Sequence, residues 1–331
     1  MERILVLSNT VGRTLPTSVK TTAVRTIGNY EIISLLTSTH CDYIKLLKKV
    51  SETSSNIFVD LEKKQPLNLR NKFDQGGNLF QSILNSVKQL NLEDKINIYP
   101  IKSNDLTVSS IWKQLNLEYG DISGIKLGLI GTGNIGSKLI YALTESGVKL
   151  SCFNRNINKA ISVVNSVLLT KPEHVINSPD IVRRVEHTII NNSGLILACS
   201  DLTENLSDYI YLMPKNFKIF LIGHSLLKEN ALKIFRDNEI YIQRIDVGKE
   251  LISYVIGNIH SKDFHVYGKN KLKNNNLCSG GYLGNKNDLI VDNYNNPRWV
   301  YGECDGTGGI KYDIAKNEFK SLEEIDDFYN S

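Results

Sequence analysis

No hydrophobic run in this chain approaches the roughly 18–20 residues needed to cross a bilayer. Neither sign of charge dominates: 39 Lys and Arg stand against 35 Asp and Glu, a net charge of +4. So small a surplus argues against a nucleic-acid or membrane surface. Cysteine is scarce and scattered. Cys41, Cys152, Cys199, Cys278 and Cys304 are odd in number and contain no C-x-x-C pair, which excludes a disulfide framework. Proline is sparse too, with 7 in 331 residues, and no Pro/Ser-rich linker or internal repeat is present. The N-terminus passes straight into the apolar run 4–7 without a signal-peptide layout, so a cytoplasmic protein with free thiols is expected.

What is present is enough apolar material for a packed core, 41% of the chain, arranged as short apolar runs between helical spacings. Residues 4–7, 32–36, 57–59 and 96–99 read as strands, the last ending at Pro100. Leu79, Ile83, Val87 and Leu90 fall on one face of a helix, and residues 105–117 read as another. Strands alternating with helices imply a mostly parallel sheet. The expected architecture is α/β. It comprises an N-terminal α/β substrate domain (residues 1–118), a doubly wound Rossmann domain (119–257) and a C-terminal extension (258–331) returning to the cleft or the substrate domain. The extension is rich in Asn, Gly and Lys and ends in Glu323-Glu324-Ile325-Asp326-Asp327, which reads as a solvated helix face.

The most specific motif is Gly131-Thr132-Gly133-Asn134-Ile135-Gly136, entered from an apolar run and followed by a second strand over 148–153. A G-x-G-x-x-G between strand and helix is the arrangement that binds dinucleotides. Gly131 allows the tight turn, Gly133 lets the backbone approach a pyrophosphate, and Gly136 lets the helix pack closely. The phosphate is expected at the helix N-terminus, where unpaired N–H groups and the helix dipole favour negative charge. At the end of the second strand, where NAD sites carry an acid, stands Asn154-Arg155-Asn156, with Lys159 a turn later. Arg155 can take a 2′-phosphate bidentately and stack on adenine, so NADP is expected over NAD. The alternative is a solvated loop arginine. Ser200, Asp201, Gly223 and His224 end two further strands and are expected beside the nicotinamide by topology alone. His224 reads either as catalytic or as a hydrogen-bonded structural histidine.

The Asn154-Arg155 ending with its downstream Lys159-Ala160 resembles the N-R-T…A element of the shikimate dehydrogenase and glutamyl-tRNA reductase Rossmann domains. The first family is similar over about residues 1–257. Its opening G-N-P-x-x-H-S-x-S-P is matched by Ser8-Asn9-Thr10-Val11-Gly12-Arg13-Thr14-Leu15-Pro16, one residue shorter, which implies substrate binding by Asn9 and Thr14. Its lysine motif N-V-T-x-P-x-K is similar to the run from Asn56 to Lys63-Lys64, and its N-T-D to Asn104-Asp105. Its D-G-x-x-M-L-x-x-Q resembles the run from Asp246 through Gly248 and Glu250 to Tyr254, which stands where the family has a substrate-binding glutamine. The resemblance implies an acid/base formed by Lys63 or Lys64 with Asp105, and substrate contacts from Asn104 and Tyr254. It also implies biosynthetic hydride transfer between NADP and a small polar hydroxy, keto or imino acid.

That pair makes chemical sense, because hydride transfer at an alcohol carbon needs a group to move the hydroxyl proton. Strand alternation lets only one of the two lysines face inward. Both also read as surface lysines, and Asp105 as a helix N-cap. Residues 37–42, with His40 and Cys41, resemble the S-T-C-N-R segment of glutamyl-tRNA reductase, whose cysteine is nucleophilic; a buried structural cysteine is the alternative. His260, His265, Cys278 and Cys304 match no standard zinc spacing. The run from Cys304-Asp305 to Gly309 reads as a turn or an anion-binding nest. Two other functions stay open: a cofactor-retaining lyase resembling ornithine cyclodeaminase, and a catalytically silent NADP-binding module. The expected partner is a small-molecule substrate, with no nucleic acid and no membrane surface; a homodimer is left open.

Overall fold

Residues 4–7, 57–59, 195–197 and 219–221 are continuous apolar runs rather than alternating ones, as expected where both faces of a sheet are covered. The computed structural model describes residues 1–9, 18–37, 40–63, 78–199, 201–202, 205–223, 226–261, 267–271, 276–313, 316–317 and 322–330. Thr14, Lys64, Ser200, His224 and His265 lie outside the described residues, as do the side chains of His40 and Cys41. The chain forms two compact units, Met1–Val255 and Ile256–Ser331.

The first unit opens with β1 (Glu2–Ser8), β2 (Lys20–Ile27), β3 (Tyr30–Leu36), α1 (His40–Val50), β4 (Asn56–Asp60), α2 (Leu79–Gln89) and β5 (Asn97–Ile101). The strands form one sheet in the order β2-β3-β1-β4-β5, parallel except for β2. Tyr43 and Leu47 of α1 and Leu79 and Ile83 of α2 are fully buried against Leu7, Ile57 and Val59. Within that core the Tyr43 hydroxyl meets Ser82 Oγ at 2.6 Å. The strand expected to stop at Pro100 runs through it to Ile101, with Pro100 in register opposite Val59. β5 is an edge strand, the place in a sheet where a missing N–H is tolerated.

A long helix, α3 (Ser103–Tyr119), leads into β6 (Lys126–Ile130), α4 (Asn134–Glu145), β7 (Lys149–Phe153), α5 (Ile157–Thr170), β8 (Asp180–Ile181), β9 (Gly194–Leu197), β10 (Lys218–Leu221), α6 (Glu229–Asp237), β11 (Tyr241–Arg244) and α7 (Gly248–Ile259). These strands form a six-stranded parallel sheet in the order β11-β10-β9-β6-β7-β8. The expected α/β fold with a doubly wound Rossmann sheet is therefore present. The order reverses at β6, whose neighbours are β9 and β7, and ligands of such sheets lie outside the carboxyl ends of the strands at that point. Leu139, Ile140 and Leu143 of α4 bury against Leu127, Leu129, Leu150 and Ile196.

Helices α3 and α7 join the two sheets. At its C-terminal end α3 is anchored by Lys218, whose ammonium donates to Glu118 Oε2 at 2.9 Å and to the Glu118 carbonyl at 2.8 Å, over the Tyr119 ring at 4.6 Å. The Tyr241 hydroxyl donates to Glu118 Oε1 at 3.1 Å. On α7, the Glu250 carboxylate accepts from Lys113 Nζ at 2.7 Å and Ser109 Oγ at 2.8 Å, both on α3.

The second unit contains β12 (Gly268–Lys271), β13 (Asn276–Ser279), β14 (Leu289–Val291), β15 (Trp299–Cys304), β16 (Ile310–Lys311), β17 (Lys316–Asn317) and α8 (Leu322–Asn330). Its core is small, with Leu277, Leu289, Val291, Val300 and Ile325 buried together. Its turns are stapled by their own carboxylates. Asp305 Oδ1 accepts from Thr307 N at 2.6 Å and Gly309 N at 2.9 Å, so the glycine-rich run after Cys304 spends these N–H groups on a turn rather than on an outside anion. In α8, Ile325 is buried while Glu323, Glu324 and Asp327 are exposed, which is the solvated face expected of the acidic stretch. The Cys278 and Cys304 sulfurs lie 3.3 Å apart, and among the described residues no group of three or more His, Cys, Asp or Glu side chains gathers as a metal site.

The Lys218 hydrogen bond holds the Glu118 carboxyl below its usual pKa. A lowered folded value means that this stability is present above the unfolded carboxylate pKa and is lost as pH falls through the folded one. Glu118→Gln is expected to cost about 1 kcal/mol at pH 7, kept small by the partial exposure of the pair. Thermal melts should show the variant some 2–4 °C below the wild type there. The gap should close below about pH 4. A gap independent of pH would show that Glu118 acts by packing alone.

Candidate functional site

At the carboxyl end of β6 the three glycines of the loop do three different things. Gly131 has φ +103°, and a Cβ on it would stand 2.7 Å from the Ala198 carbonyl oxygen, so this turn closes against the end of β9. Gly136 presses on the same turn, where a Cβ would lie 1.9 Å from the Gly131 carbonyl oxygen. Gly133 is the reverse case, since a Cβ there would meet nothing within 4 Å. It is the N-cap of α4, and among the described residues no side-chain hydrogen bond caps this helix. The backbone N–H groups of Asn134, Ile135 and Gly136 therefore begin the helix without intrahelical acceptors and beside open space. That is a cradle which a side chain would fill and an anion fits.

Around it, Thr132 is fully buried and its hydroxyl accepts a hydrogen bond from Asn154 Nδ2. Asn154 Oδ1 accepts from Asn156 N at 3.1 Å. Asn154 thus braces the glycine loop against the turn after β7. Asn156 caps α5 by accepting from Lys159 N at 3.2 Å. Arg155 pairs with Asp201 at 3.6 Å, and both side chains are about half exposed, at 57% and 51%. Gly223 packs on the end of β9, with space for a Cβ only 3.1 Å from the Cys199 carbonyl oxygen.

A second polar group forms at the carboxyl end of the first sheet. Asp60, at the end of β4, is 2% exposed. Its Oδ2 accepts from Ser103 Oγ at 2.6 Å and Ser8 Oγ at 3.3 Å, and its Oδ1 from Glu62 N at 3.1 Å. Burial raises its pKa above the usual carboxylate value. Asn9 and Thr37, just beyond β1 and β3, are buried as well. Next to this group, Glu62 accepts from Asn104 N at 2.6 Å and from Lys138 Nζ at 3.1 Å. Asn104 thereby contributes its backbone N–H.

The Asp105 carboxylate pairs with Lys138 on α4, and with Lys102 at 3.9 Å. Among the described residues no ion pair joins Lys63 to Asp105. Lys63 instead acts electrostatically on Asp60, while its carbonyl accepts from Leu79 N at 2.8 Å. The expected partner of Asp105 was Lys63 or Lys64; Lys64 lies outside the described residues, and Lys63 is not among the contacts of Asp105. The cause is spatial, because α4 delivers an ammonium to the start of α3 that strand-end reasoning does not consider. Partial burial disfavours the Lys138 ammonium, but the Asp105 and Glu62 carboxylates outweigh it and raise its pKa. Tyr254, placed by resemblance at a substrate position, donates its hydroxyl to the Pro100 carbonyl at 2.8 Å and meets Phe58 edge-on at 6.4 Å. Asp60, Glu62 and Lys138 were not singled out from sequence. The only signals were an acid closing an apolar strand and a lysine five residues after Gly133.

The unequal surroundings of the glycines predict unequal substitutions. Gly133→Ala, at φ −77°, should leave the melting temperature within a degree or two of the wild type. Gly136→Ala should lower it severely, because the Gly131 carbonyl cannot retreat from the new methyl without opening the turn. Equal melting temperatures for the two variants would contradict the packing described here.

No family model matches the chain. A glutamyl-tRNA reductase of Sulfolobus acidocaldarius is 39% identical over 67 residues, which is 20% of this chain and 16% of that protein. A second, from Thermosipho melanesiensis, is 32% identical over 110 residues, 31% of this chain and 28% of that protein. The matched stretches therefore span less than a third of these relatives. Among solved structures, shikimate dehydrogenase of Aquifex aeolicus aligns with a TM-score of 0.43 at 14% identity, covering 78% of this chain and 91% of that one. The fold assignment rests on the strand order itself. Over 67 to 110 residues this chain is similar to glutamyl-tRNA reductases, and its six-stranded parallel sheet has the strand order of a Rossmann fold.

Proposed function

We propose that the chain is an NADP-dependent dehydrogenase or reductase acting on a small polar hydroxy, keto or imino acid. The observation that carries this reading is the uncapped N-terminus of α4 beside the open space at Gly133, which suits a pyrophosphate. Arg155, together with the lack of an acid at the end of β7, supports a cofactor bearing a 2′-phosphate. Bound there, the cofactor supplies or accepts a hydride. The residues of the chain must then position the substrate and move a proton. Asp60, Ser8, Ser103 and Asn9 lie where a parallel sheet receives its ligand, outside the carboxyl ends of β1 and β4. Lys63, in the field of Asp60, is assigned the acid/base role, and Asp105 a positioning role through Lys138.

The test begins with calorimetric titration of both cofactors. Arg155→Ala should weaken NADPH binding by roughly 1.5–3 kcal/mol, the scale of a charge-assisted hydrogen bond, and change NADH binding little. Gly133→Val should remove binding of both while the protein still melts as the wild type does. Normal binding by that variant would reduce the loop to a connection. NADPH oxidation against a panel of keto acids and semialdehydes then finds the substrate. On that substrate Lys63→Met should lower turnover by about 10²–10⁴-fold with NADPH affinity unchanged. Undiminished turnover would move the proton transfer to another residue.

A further inference from the structure

Arg155 follows β7 and Asp201 follows β9, and these strands are not neighbours. The sheet order is β9-β6-β7, so the strand carrying the glycine loop lies between them. The Arg155–Asp201 contact at 3.6 Å therefore bridges the carboxyl end of β6. A second observation agrees. The half-buried Cys199 thiol, just beyond β9, is raised in pKa by burial, against which backbone N–H groups and the Arg155 charge act. The Arg155 charge is therefore felt at that strand end. The guanidinium after β7, where an arginine accommodates a 2′-phosphate in sheets of this kind, is thus already engaged by a carboxylate from the segment after β9.

We propose that Asp201 competes with the ribose 2′-phosphate of the cofactor for Arg155, and so sets how strongly the site prefers a phosphorylated over an unphosphorylated dinucleotide. This rests on the dinucleotide reading of the loop given above. The physical basis is an exchange of partners. The Arg155–Asp201 contact is long and open to solvent, so it is weak and easily given up. A 2′-phosphate carries more charge and offers the guanidinium a bidentate partner, so it displaces the carboxylate. A cofactor without that phosphate leaves Arg155 on Asp201. Asp201 is then a specificity-determining residue that lowers the affinity for NADPH and leaves that for NADH alone.

Dissociation constants for NADPH and NADH, measured calorimetrically at one ionic strength on the full chain, test this. The proteins needed are the wild type, Asp201→Asn, Arg155→Ala and the double variant. Asp201→Asn, an exposed and nearly isosteric change, should tighten NADPH about two- to fivefold, the worth of an exposed ion pair, and leave NADH unchanged. In the Arg155→Ala background the same change should give no gain. Three results would overturn the proposal: no tightening of NADPH, equal tightening of NADH, or a gain that persists without Arg155. A wild type that binds neither cofactor is a distinct result, which removes the dinucleotide reading and this proposal with it.

Discussion

The contact between Gly136 and the Gly131 carbonyl is the constraint on which the candidate site depends. With only 1.9 Å between that oxygen and a notional Cβ, helix α4 can begin only if residue 136 has no side chain. That close approach fixes the first turn of α4 against the end of β6. It leaves the Gly133 position facing open space, with the leading N–H groups of the helix beside it. The same turn is braced from β7 by Asn154 and from β9 by the backbone at Ala198. Three strands thus hold rigid a group of donors that carries no catalytic side chain.

Helix α4 also ties this loop to the first sheet. Lys138 lies between Glu62, just beyond β4, and Asp105, in the first turn of α3. Glu62 in turn holds Asn104 N and is joined through its own N–H to Asp60. The polar groups at the carboxyl ends of the two sheets are therefore mechanically continuous. At the amino end of the second sheet, Lys218, which begins β10, holds Glu118 at the far end of α3. The proposed reaction would need such continuity to keep a cofactor and a small substrate in fixed register.

The Rossmann sheet was legible because its strands are short apolar runs between turn residues, and its glycine spacing is tied to a backbone geometry. Other elements were not. β2 is polar and mostly solvent-exposed, so no periodic burial marks it. Pro100 reads as a stop because local propensity says nothing about whether a strand lies at a sheet edge. In the second unit, strands of two to six residues depend on turns closed by Asp292 and Asp305, which composition presents only as an Asn- and Gly-rich stretch. For the candidate site, the roles of Gly131, Gly133 and Gly136 follow from spacing. The partners of Asp105 and Arg155 come from elements distant in sequence, and no local pattern announces Lys138 or Asp201.

The proposed seat for a dinucleotide pyrophosphate is the start of α4. Backbone amide NMR during titration with NADPH tests it most directly. The largest shifts should fall on Asn134, Ile135 and Gly136, with those of Gly133 and Arg155 moving in step. NADPH binding that leaves these amides in place and shifts others instead would contradict it.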